Sequence, residues 1–144
     1  MKTFPKKKVL LYGEDEFNKE ALRKYDLIFM PPWKIKKTQE YSIDLFINKN
    51  SLGEMTKEAA EANVFHICKA LKYFFHMNHE HYRNHYSNGT KSILNEEYPI
   101  SKKMKLLFRY PDLAHLFYQG WLDYGMDIFL YLYEKRINHS TSPA

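Results

Sequence analysis

The sequence predicts an α/β fold with a mainly parallel sheet, and two observations carry this prediction. The stretch from residue 43 to residue 78 has the pattern of a strand, a capped helix and a second strand. Because two parallel strands in one sheet need a crossover connection, this pattern is typical of a βαβ unit. Other apolar runs bounded by glycine, proline or polar residues indicate further strands, at residues 9–12, 25–30, 104–110 and 126–134.

The βαβ unit begins with the strand from Ile43 to Asn48, which is mostly apolar, so we expect it to be covered on both faces. Ser51 and Glu54 follow with the S-x-x-E spacing of a capping box, and Thr56 offers a second N-cap. The helix is predicted over 57–72 and is followed directly by the second strand. The apolar stripe of this helix is formed by Ala60, Val64, Ile67, Cys68 and Leu71.

The rest of the chain is expected to complete a single domain, residues 1–144, with a frayed tail at 137–144. Residues 14–24 have weak helical spacing, and residues 79–103 resemble a loop. A short helix is predicted at 113–119.

Composition excludes several classes of protein. The length of 144 residues fits one domain, and the 17% aromatic content is too high for a disordered tail. The lone Cys68 excludes an intramolecular disulfide framework, and no CxxC pair is present for a zinc site. No apolar run approaches the ~18–20 residues of a membrane span, and the N-terminal segment lacks the apolar core of a secretory signal. We therefore expect a cytoplasmic protein with no membrane partner.

The net charge of +5 does not indicate a nucleic-acid partner. Eighteen of the basic residues are lysine and four are arginine, whereas recognition of bases and phosphates favours the bidentate arginine fork. The lysines fall in short, separated groups, which is typical of a solvated surface. We interpret Arg109 as one member of a surface ion pair.

The βαβ unit also carries a family resemblance. Asp44-Leu45-Phe46-Ile47-Asn48, then Asn50-Ser51, then Glu54-Met55, is similar to the DLFIN-x-x-S-x-x-EM signature of sugar O-methyltransferases. That family is a branch of the S-adenosylmethionine-dependent class I methyltransferases, which have a Rossmann-like fold. The resemblance covers most of the chain, is sharpest over residues 43–80, and implies that the signature forms the fourth sheet strand and the start of its helix.

The resemblance implies a partial Rossmann-like methyltransferase sheet, mainly parallel, with an antiparallel C-terminal edge strand. It places Met1 after the second strand of the family's sheet, so the chain is expected to be a C-terminal portion without the first strands and the Gly-rich cofactor loop. In agreement, Gly13 is followed by Glu14-Asp15-Glu16, and no G-x-G occurs. The expected function is that of a truncated or split sugar O-methyltransferase, whose parent transfers a methyl group from S-adenosylmethionine to a sugar hydroxyl. Alone, the chain is expected to bind the cofactor weakly or not at all and to be inactive.

The candidate site lies at the carboxyl end of the first strand of the unit, where open α/β sheets bind their ligands. By the resemblance, Asn48, Asn50 and Ser51 border the cofactor and the sugar acceptor, and free N–H groups at the helix start would assist them. Glu54 or a histidine is a candidate general base for the acceptor hydroxyl. Capping of the helix is the competing interpretation for Ser51 and Glu54.

Two hypotheses from other classes remain open. The histidines His76, His79, His81 and His85 have short spacings that suit Zn²⁺, Ni²⁺ or Cu²⁺, with Glu80 as a further ligand, so the chain is alternatively a histidine-loop metal-binding protein. Against this, His76 and His79 point to opposite faces if both belong to a strand.

The other alternative is a non-enzymatic interaction remnant. Without the strand that is central in the parent fold, the strand at 43–48 has an unpaired, apolar edge. The partner expected at this edge is an N-terminal half encoded upstream, or a second copy of the chain through self-association.

Overall fold

The computed structural model describes residues 6–114 and 127–136. By its internal contacts the chain divides into two compact units, residues 1–38 and residues 39–144. Each unit contains a parallel pair of strands and a helix that connects them. The predicted α/β class is therefore confirmed.

Other predictions from the sequence concern the extent of the domain and the carboxyl end of the chain. A single domain over residues 1–144 stays a prediction. The tail at 137–144 lies outside the described residues, as does most of the short helix predicted at 113–119. Within the described ranges, no helix has the length and apolar character that crossing a membrane requires.

The first unit is a small βαβ arrangement. Strand β1 (Val9–Leu11) pairs in parallel with β2 (Leu27–Phe29), and helix α1 (Lys19–Lys24) connects them. The helix begins at Asn18, whose side-chain oxygen accepts the backbone N–H of Ala21 at 2.9 Å. Both strands lie within apolar runs that the sequence marks as strands.

The second unit is built on a four-stranded sheet. Its strands are β3 (Ile43–Lys49), β4 (Leu71–His79), β5 (Met104–Pro111) and β6 (Ile128–Lys135), in the spatial order β3-β4-β6-β5. Strands β3 and β4 are parallel, as the βαβ pattern predicts, whereas β6 is antiparallel to both of its neighbours. The antiparallel strand expected on the C-terminal side is therefore present. It lies between β4 and β5, so that β5 forms the outer strand on this side.

Helix α2 (Lys57–Ala70) connects β3 to β4 and packs against β4. It begins after Thr56, whose hydroxyl accepts the N–H of Ala59 at 3.5 Å. It ends at Ala70, earlier than predicted, because Leu71 has an extended backbone and pairs with Ile43 in the sheet. The buried residues of the helix are Ala60, Val64, Ile67, Cys68 and Ala70.

The two faces of strand β3 differ in burial. On one face Phe46 contacts Phe74 edge-on, with the ring centroids 5.9 Å apart, and Phe74 is fully buried. On the other face Leu45 and Ile47 are 49% and 62% exposed. The expectation that β3 is covered on both faces is therefore wrong, because the strand lies at the end of the sheet and its second face is left open.

The outer edge of β3, which we call the β3 edge, is unpaired among the described strands. Strand β3 hydrogen-bonds only to β4 within that part of the chain. It contains no proline, and its charged side chains, Asp44 and Lys49, lie near its two ends. Unpaired backbone groups beside exposed apolar side chains form a ready template for a further strand.

We expect the chain to self-associate through the β3 edge at high concentration, and Ile47→Lys to disperse the association because it places a charge in the middle of the edge. Size-exclusion chromatography with light scattering, run over a range of concentrations, measures the mass. Phe65→Lys is the matched control: Phe65 is 64% exposed but lies on helix α2, so its replacement should leave the mass unchanged. A wild-type chain that stays monomeric at every concentration would contradict the expectation.

Candidate functional site

The candidate site is formed where the carboxyl ends of β3 and β4 lie side by side. Asn48 is the penultimate residue of β3, and Asn50 and Ser51 directly follow the end of this strand. A short 3-10 turn (Leu52–Glu54) then leads to α2. On the neighbouring strand, Asn78 lies near the end of β4. The sequence therefore brings four short polar side chains to the end of the sheet at which ligands of α/β proteins bind.

Asn78 is the centre of a buried hydrogen-bond network and is fully buried. Its Oδ1 accepts the backbone N–H of Gly53 at 3.2 Å, and its Nδ2 donates to Asn48 Oδ1 at 3.2 Å. Asn48 Oδ1 also accepts the N–H of Leu52 at 3.3 Å, and Asn48 Nδ2 donates to the hydroxyl of Ser51. The network fastens the turn to both strands, so Asn48 acts from inside the protein and not as an exposed contact.

The capping box predicted from Ser51 and Glu54 is not formed. The side chain of Ser51 makes no capping hydrogen bond, because its hydroxyl accepts the amide of Asn48 instead. The helix itself is capped by Thr56. The interpretation of Ser51 and Glu54 as helix caps is therefore wrong, and both side chains are exposed at the end of the sheet.

The backbone donors of the turn are already used within the protein. The N–H groups of Leu52 and Gly53 donate to Asn48 and Asn78, and those of Glu54 and Met55 donate to carbonyls of the turn itself. These four N–H groups are therefore not free to hold a ligand, and the expectation that the helix start itself supplies free N–H groups stays a prediction. What the turn offers a ligand is side chains: the Ser51 hydroxyl and the Glu54 carboxylate.

Asn50 adds an unusual acceptor to the turn. Its φ of 55° lies in the left-handed region, which asparagine tolerates better than most residues. Its N–H donates to the carbonyl of Met77 at 2.8 Å, which continues the β3–β4 ladder. Its side-chain Oδ1 is buried and has no hydrogen-bond partner among the described residues. Buried amide oxygens are normally satisfied, so this oxygen is an exception to the usual pairing.

Glu54 is tied to the loop that follows β4. Its carboxylate accepts the side-chain amide of Asn84 at 2.8 Å, and its carbonyl accepts the hydroxyl of Tyr86 at 2.7 Å. A backbone bridge between Thr56 and Ser92 lies beside these bonds. The loop is therefore fastened across the turn, and Glu54 holds it there.

His76 lies in the core beneath this end of the sheet. Its side chain is only 1% exposed and stacks on Tyr131, with the ring centroids 4.8 Å apart and the planes 7° from parallel. Tyr98 meets the same imidazole edge-on at 5.5 Å. Burial lowers the pKa of His76 to about 3, so the ring is neutral. A ring so enclosed does not reach a ligand at the surface.

Three buried side chains in this region carry unpartnered polar atoms. These atoms, which have no hydrogen-bond partner among the described residues, are His76 Nε2, the Tyr98 hydroxyl and Asn95 Oδ1, in residues that are 1%, 5% and 7% exposed. Asn95 is held in place because its Nδ2 donates to the carbonyl of Asn78 at 3.2 Å. Each unsatisfied group lowers stability by roughly 1–3 kcal/mol unless internal water reaches it.

We expect Tyr98→Phe to leave the free energy of unfolding unchanged or to raise it by up to about 1 kcal/mol. The substitution removes a buried hydroxyl that has no partner and retains the ring that packs on His76. Chemical denaturation monitored by circular dichroism measures the change. A loss of stability beyond about 1 kcal/mol would show instead that an ordered water satisfies this hydroxyl.

The four histidines considered as metal ligands do not come together. His76 is buried, His79 contacts Asp127, the His81 side chain is 81% exposed, and His85 forms a backbone bridge with Lys91. His76 and His79 lie on opposite faces of β4, as the alternation of a strand predicts. Over the described ranges no group of three or more His, Cys, Asp or Glu side chains is arranged to hold a metal ion.

A second polar cluster joins the ends of β4, β5 and β6. Arg109 binds Glu80 through two hydrogen bonds of 2.5 Å, and the hydroxyl of Tyr131 donates to the same carboxylate. Burial alone would raise the pKa of the Glu80 carboxyl, but the hydrogen bonds from Arg109 and Tyr131 outweigh it and hold the pKa below its usual range. The ion pair expected for Arg109 is confirmed, and Glu80 is its partner, not a metal ligand.

Two residues that organise this region, Asn78 and Asp127, carry little signal in the sequence. The one signal for Asn78 is that a polar residue interrupts the apolar end of a buried strand. Asp127 has no local signal, because its partners lie 45 to 48 residues earlier in the chain and meet it only through the pairing of β4 with β6.

Comparison with known proteins gives one structural likeness. No protein-family model matches the sequence, and no curated protein matches it. The chain is similar to the solved structure of Haemonchus contortus phospholethanolamine N-methyltransferase 2 in complex with phosphomonomethylethanolamine and S-adenosylhomocysteine. The TM-score is 0.44 and the identity 12%, over 93% of this chain and 34% of that chain. The chain thus spans about a third of that protein's length, and at this TM-score the likeness carries no argument about function.

Proposed function

We propose that the chain is the carboxyl-side portion of an S-adenosylmethionine-dependent sugar O-methyltransferase. The observation that carries the proposal is the DLFIN strand, β3, running parallel to β4 with a polar turn at the shared carboxyl end. The Rossmann-like resemblance places the cofactor and the acceptor at this end.

The turn after β3 suits a ligand that carries hydroxyl groups. The exposed Glu54 carboxylate is an acceptor, and the exposed Ser51 hydroxyl both donates and accepts. A ribose or an acceptor sugar presents several hydroxyl donors to such a set. The methionine end of the cofactor has no matching group in the described residues, since no Gly-rich turn is present.

In the complete enzyme S-adenosylmethionine supplies an activated methyl group. The residues of this chain bind and orient the acceptor, so that its hydroxyl oxygen lies in line with that methyl group. The buried network of Asn48 and Asn78 keeps the turn rigid, which fixes where Asn50 and Ser51 meet the sugar. Positioning, rather than covalent chemistry, is the contribution expected from this half.

The partner that completes the site is a Gly-rich cofactor-binding half, supplied by another segment or another chain. The β3 edge supports this proposal because it offers an unpaired backbone to a further parallel strand. The same exposed edge also favours a second candidate function, a non-enzymatic protein that binds a partner by strand addition.

The test is a methyl-transfer assay with methyl-labelled S-adenosylmethionine and a panel of mono- and polysaccharides. The chain alone is compared with the chain fused behind the Gly-rich half of a sugar O-methyltransferase. We expect label in sugar only with the fused protein, and loss of transfer when Ile47→Lys blocks the β3 edge. Phe65→Lys is the matched control and should transfer normally. A folded fusion protein that binds no cofactor would contradict the proposal.

A further inference from the structure

A histidine and an aspartate meet at the end of β4, on the side of the sheet opposite the stacked ring of His76. His79 is the last residue of β4, and Asp127 directly precedes β6. His79 Nδ1 lies 2.6 Å from Asp127 Oδ1, and the two side chains are 22% and 10% exposed. This is a short, partly buried contact between an imidazole and a carboxylate.

The carboxylate of Asp127 is held in one orientation by backbone donors. Its second oxygen accepts the N–H of Tyr82 at 2.6 Å and the N–H of His81. Burial alone would raise the pKa of Asp127, but the hydrogen bonds from His79 and from these N–H groups lower it overall. Because the carboxylate is therefore ionised and accepts only, the proton in the contact belongs to His79 Nδ1.

A proton on Nδ1 leaves the lone pair of neutral His79 on Nε2. Within the described part of the chain Nε2 has no hydrogen-bond partner, and it is not among the buried polar atoms that lack one. It is therefore open to solvent or to a ligand. The ring is flanked by Tyr82, with the centroids 5.4 Å apart.

His79 lies at the end of the sheet that carries the proposed acceptor site. It is the last residue of β4 and follows Asn78, whose side chain binds the turn at Gly53. Because β3 and β4 are parallel, the carboxyl end of β4 lies beside the turn that follows β3. The free Nε2 and the exposed Ser51 hydroxyl thus occupy the same end of the β3–β4 pair.

We propose that His79 and Asp127 form the acid–base pair of this site, an inference that rests on the proposed function. The acceptor hydroxyl gives its proton to His79 Nε2, and its oxygen bonds to the methyl carbon. The carbon–sulfur bond of the donor breaks with its electron pair left on sulfur, and the positive charge ends on the imidazolium, which Asp127 stabilises. His76 is enclosed by aromatic rings and Glu54 is engaged by Asn84, so neither matches this geometry.

The pair itself is tested in the chain as it stands. Long-range ¹H–¹⁵N spectra of the histidine rings should show His79 as the Nδ1–H tautomer. Diethyl pyrocarbonate should modify its Nε2, and Asp127→Asn should slow that modification about tenfold, because the orienting carboxylate is lost. His66 has no carboxylate partner among the described residues and is the internal control, with an unchanged rate. An Nε2–H tautomer in the wild-type protein would overturn the proposal, whether or not the variant folds.

The role in methyl transfer is tested in the fused protein described above. His79→Gln should lower kcat by roughly 100-fold and leave the affinity for S-adenosylhomocysteine unchanged, since general-base assistance is worth at least that much. His66→Gln is the matched control and should leave kcat unchanged. Loss of cofactor binding in the wild-type fusion would count against the proposed function. Normal kcat in His79→Gln, with cofactor binding intact, would count against the acid–base pair alone.

Discussion

We expect the free energy of unfolding to fall by about 2 kcal/mol between about pH 7 and about pH 5 because of His76 alone. Below the ordinary pKa of histidine, the loss is ~1.4 kcal/mol for each pH unit. The pKa of this ring is about 3 in the folded protein, against an ordinary value of 6.5. Below pH 6.5 the imidazole of His76 is protonated in the unfolded chain but stays neutral in the folded protein. The folded protein therefore keeps its full stability with respect to His76 above pH 6.5 and loses it as the pH falls toward 3.

His76→Phe isolates this effect. Phenylalanine can stack on Tyr131 as the imidazole does, but it cannot be protonated. Urea denaturation at several pH values should therefore show a shallower pH dependence for the variant. Asn63→Ala is the control and should keep the wild-type slope, because it removes no titratable group. Equal slopes for His76→Phe and the wild-type protein would contradict the neutral, buried state of His76.

Asn78→Ala is expected to lower the free energy of unfolding by about 3 kcal/mol, at ~1–3 kcal/mol for each buried group left without its partner. The substitution deprives the N–H of Gly53 of its acceptor and removes one donor from Asn48 Oδ1, both in the fully buried centre of the network. The turn that carries Asn50 and Ser51 should loosen as a result.

Hydrogen exchange gives the readout that is specific to this turn. The amide of Gly53 should exchange much faster in Asn78→Ala, beyond what the global loss of stability explains. Asn63→Ala is the matched control: Asn63 donates to the carbonyl of Ala59 at the surface of α2, so its removal should change stability by no more than ~0.5 kcal/mol. A loss below about 1 kcal/mol for Asn78→Ala would show that the network does not hold the turn.

Local patterns in the sequence were sufficient for the βαβ unit. The apolar strand, the helical stripe and the second strand are each set by near neighbours, and the structure has β3, α2 and β4 within a few residues of the predicted bounds. The boundary at Leu71 shifted because pairing with Ile43 favours an extended backbone over one more helical residue. Such a competition between the sheet and the helix end is not visible in the periodicity of the helix.

The arrangement of the sheet and of the site depends on contacts between distant residues. Strand β6 lies between β4 and β5, and both neighbours contribute to its burial. Its residues Ile128 and Tyr131 are only 7% and 9% exposed in this position. The same pairing brings Asp127 to His79, although 48 residues separate them. Near the turn, the S-x-x-E spacing predicts a capping box that does not form, because Asn48 competes for the Ser51 hydroxyl that a cap would use.

The most direct test of the central claim is an NMR titration of the chain with S-adenosylhomocysteine, following the backbone amides. If the carboxyl end of β3 and β4 is one part of a methyltransferase site, weak binding should shift the amides of residues 48–55 and 78–80 and leave helix α1 and the outer strand β5 unchanged. The affinity should be far weaker than micromolar, because no Gly-rich turn is present to hold the methionine end. Shifts confined to other parts of the chain would contradict the account. Micromolar binding by this chain alone would contradict the need for a second half.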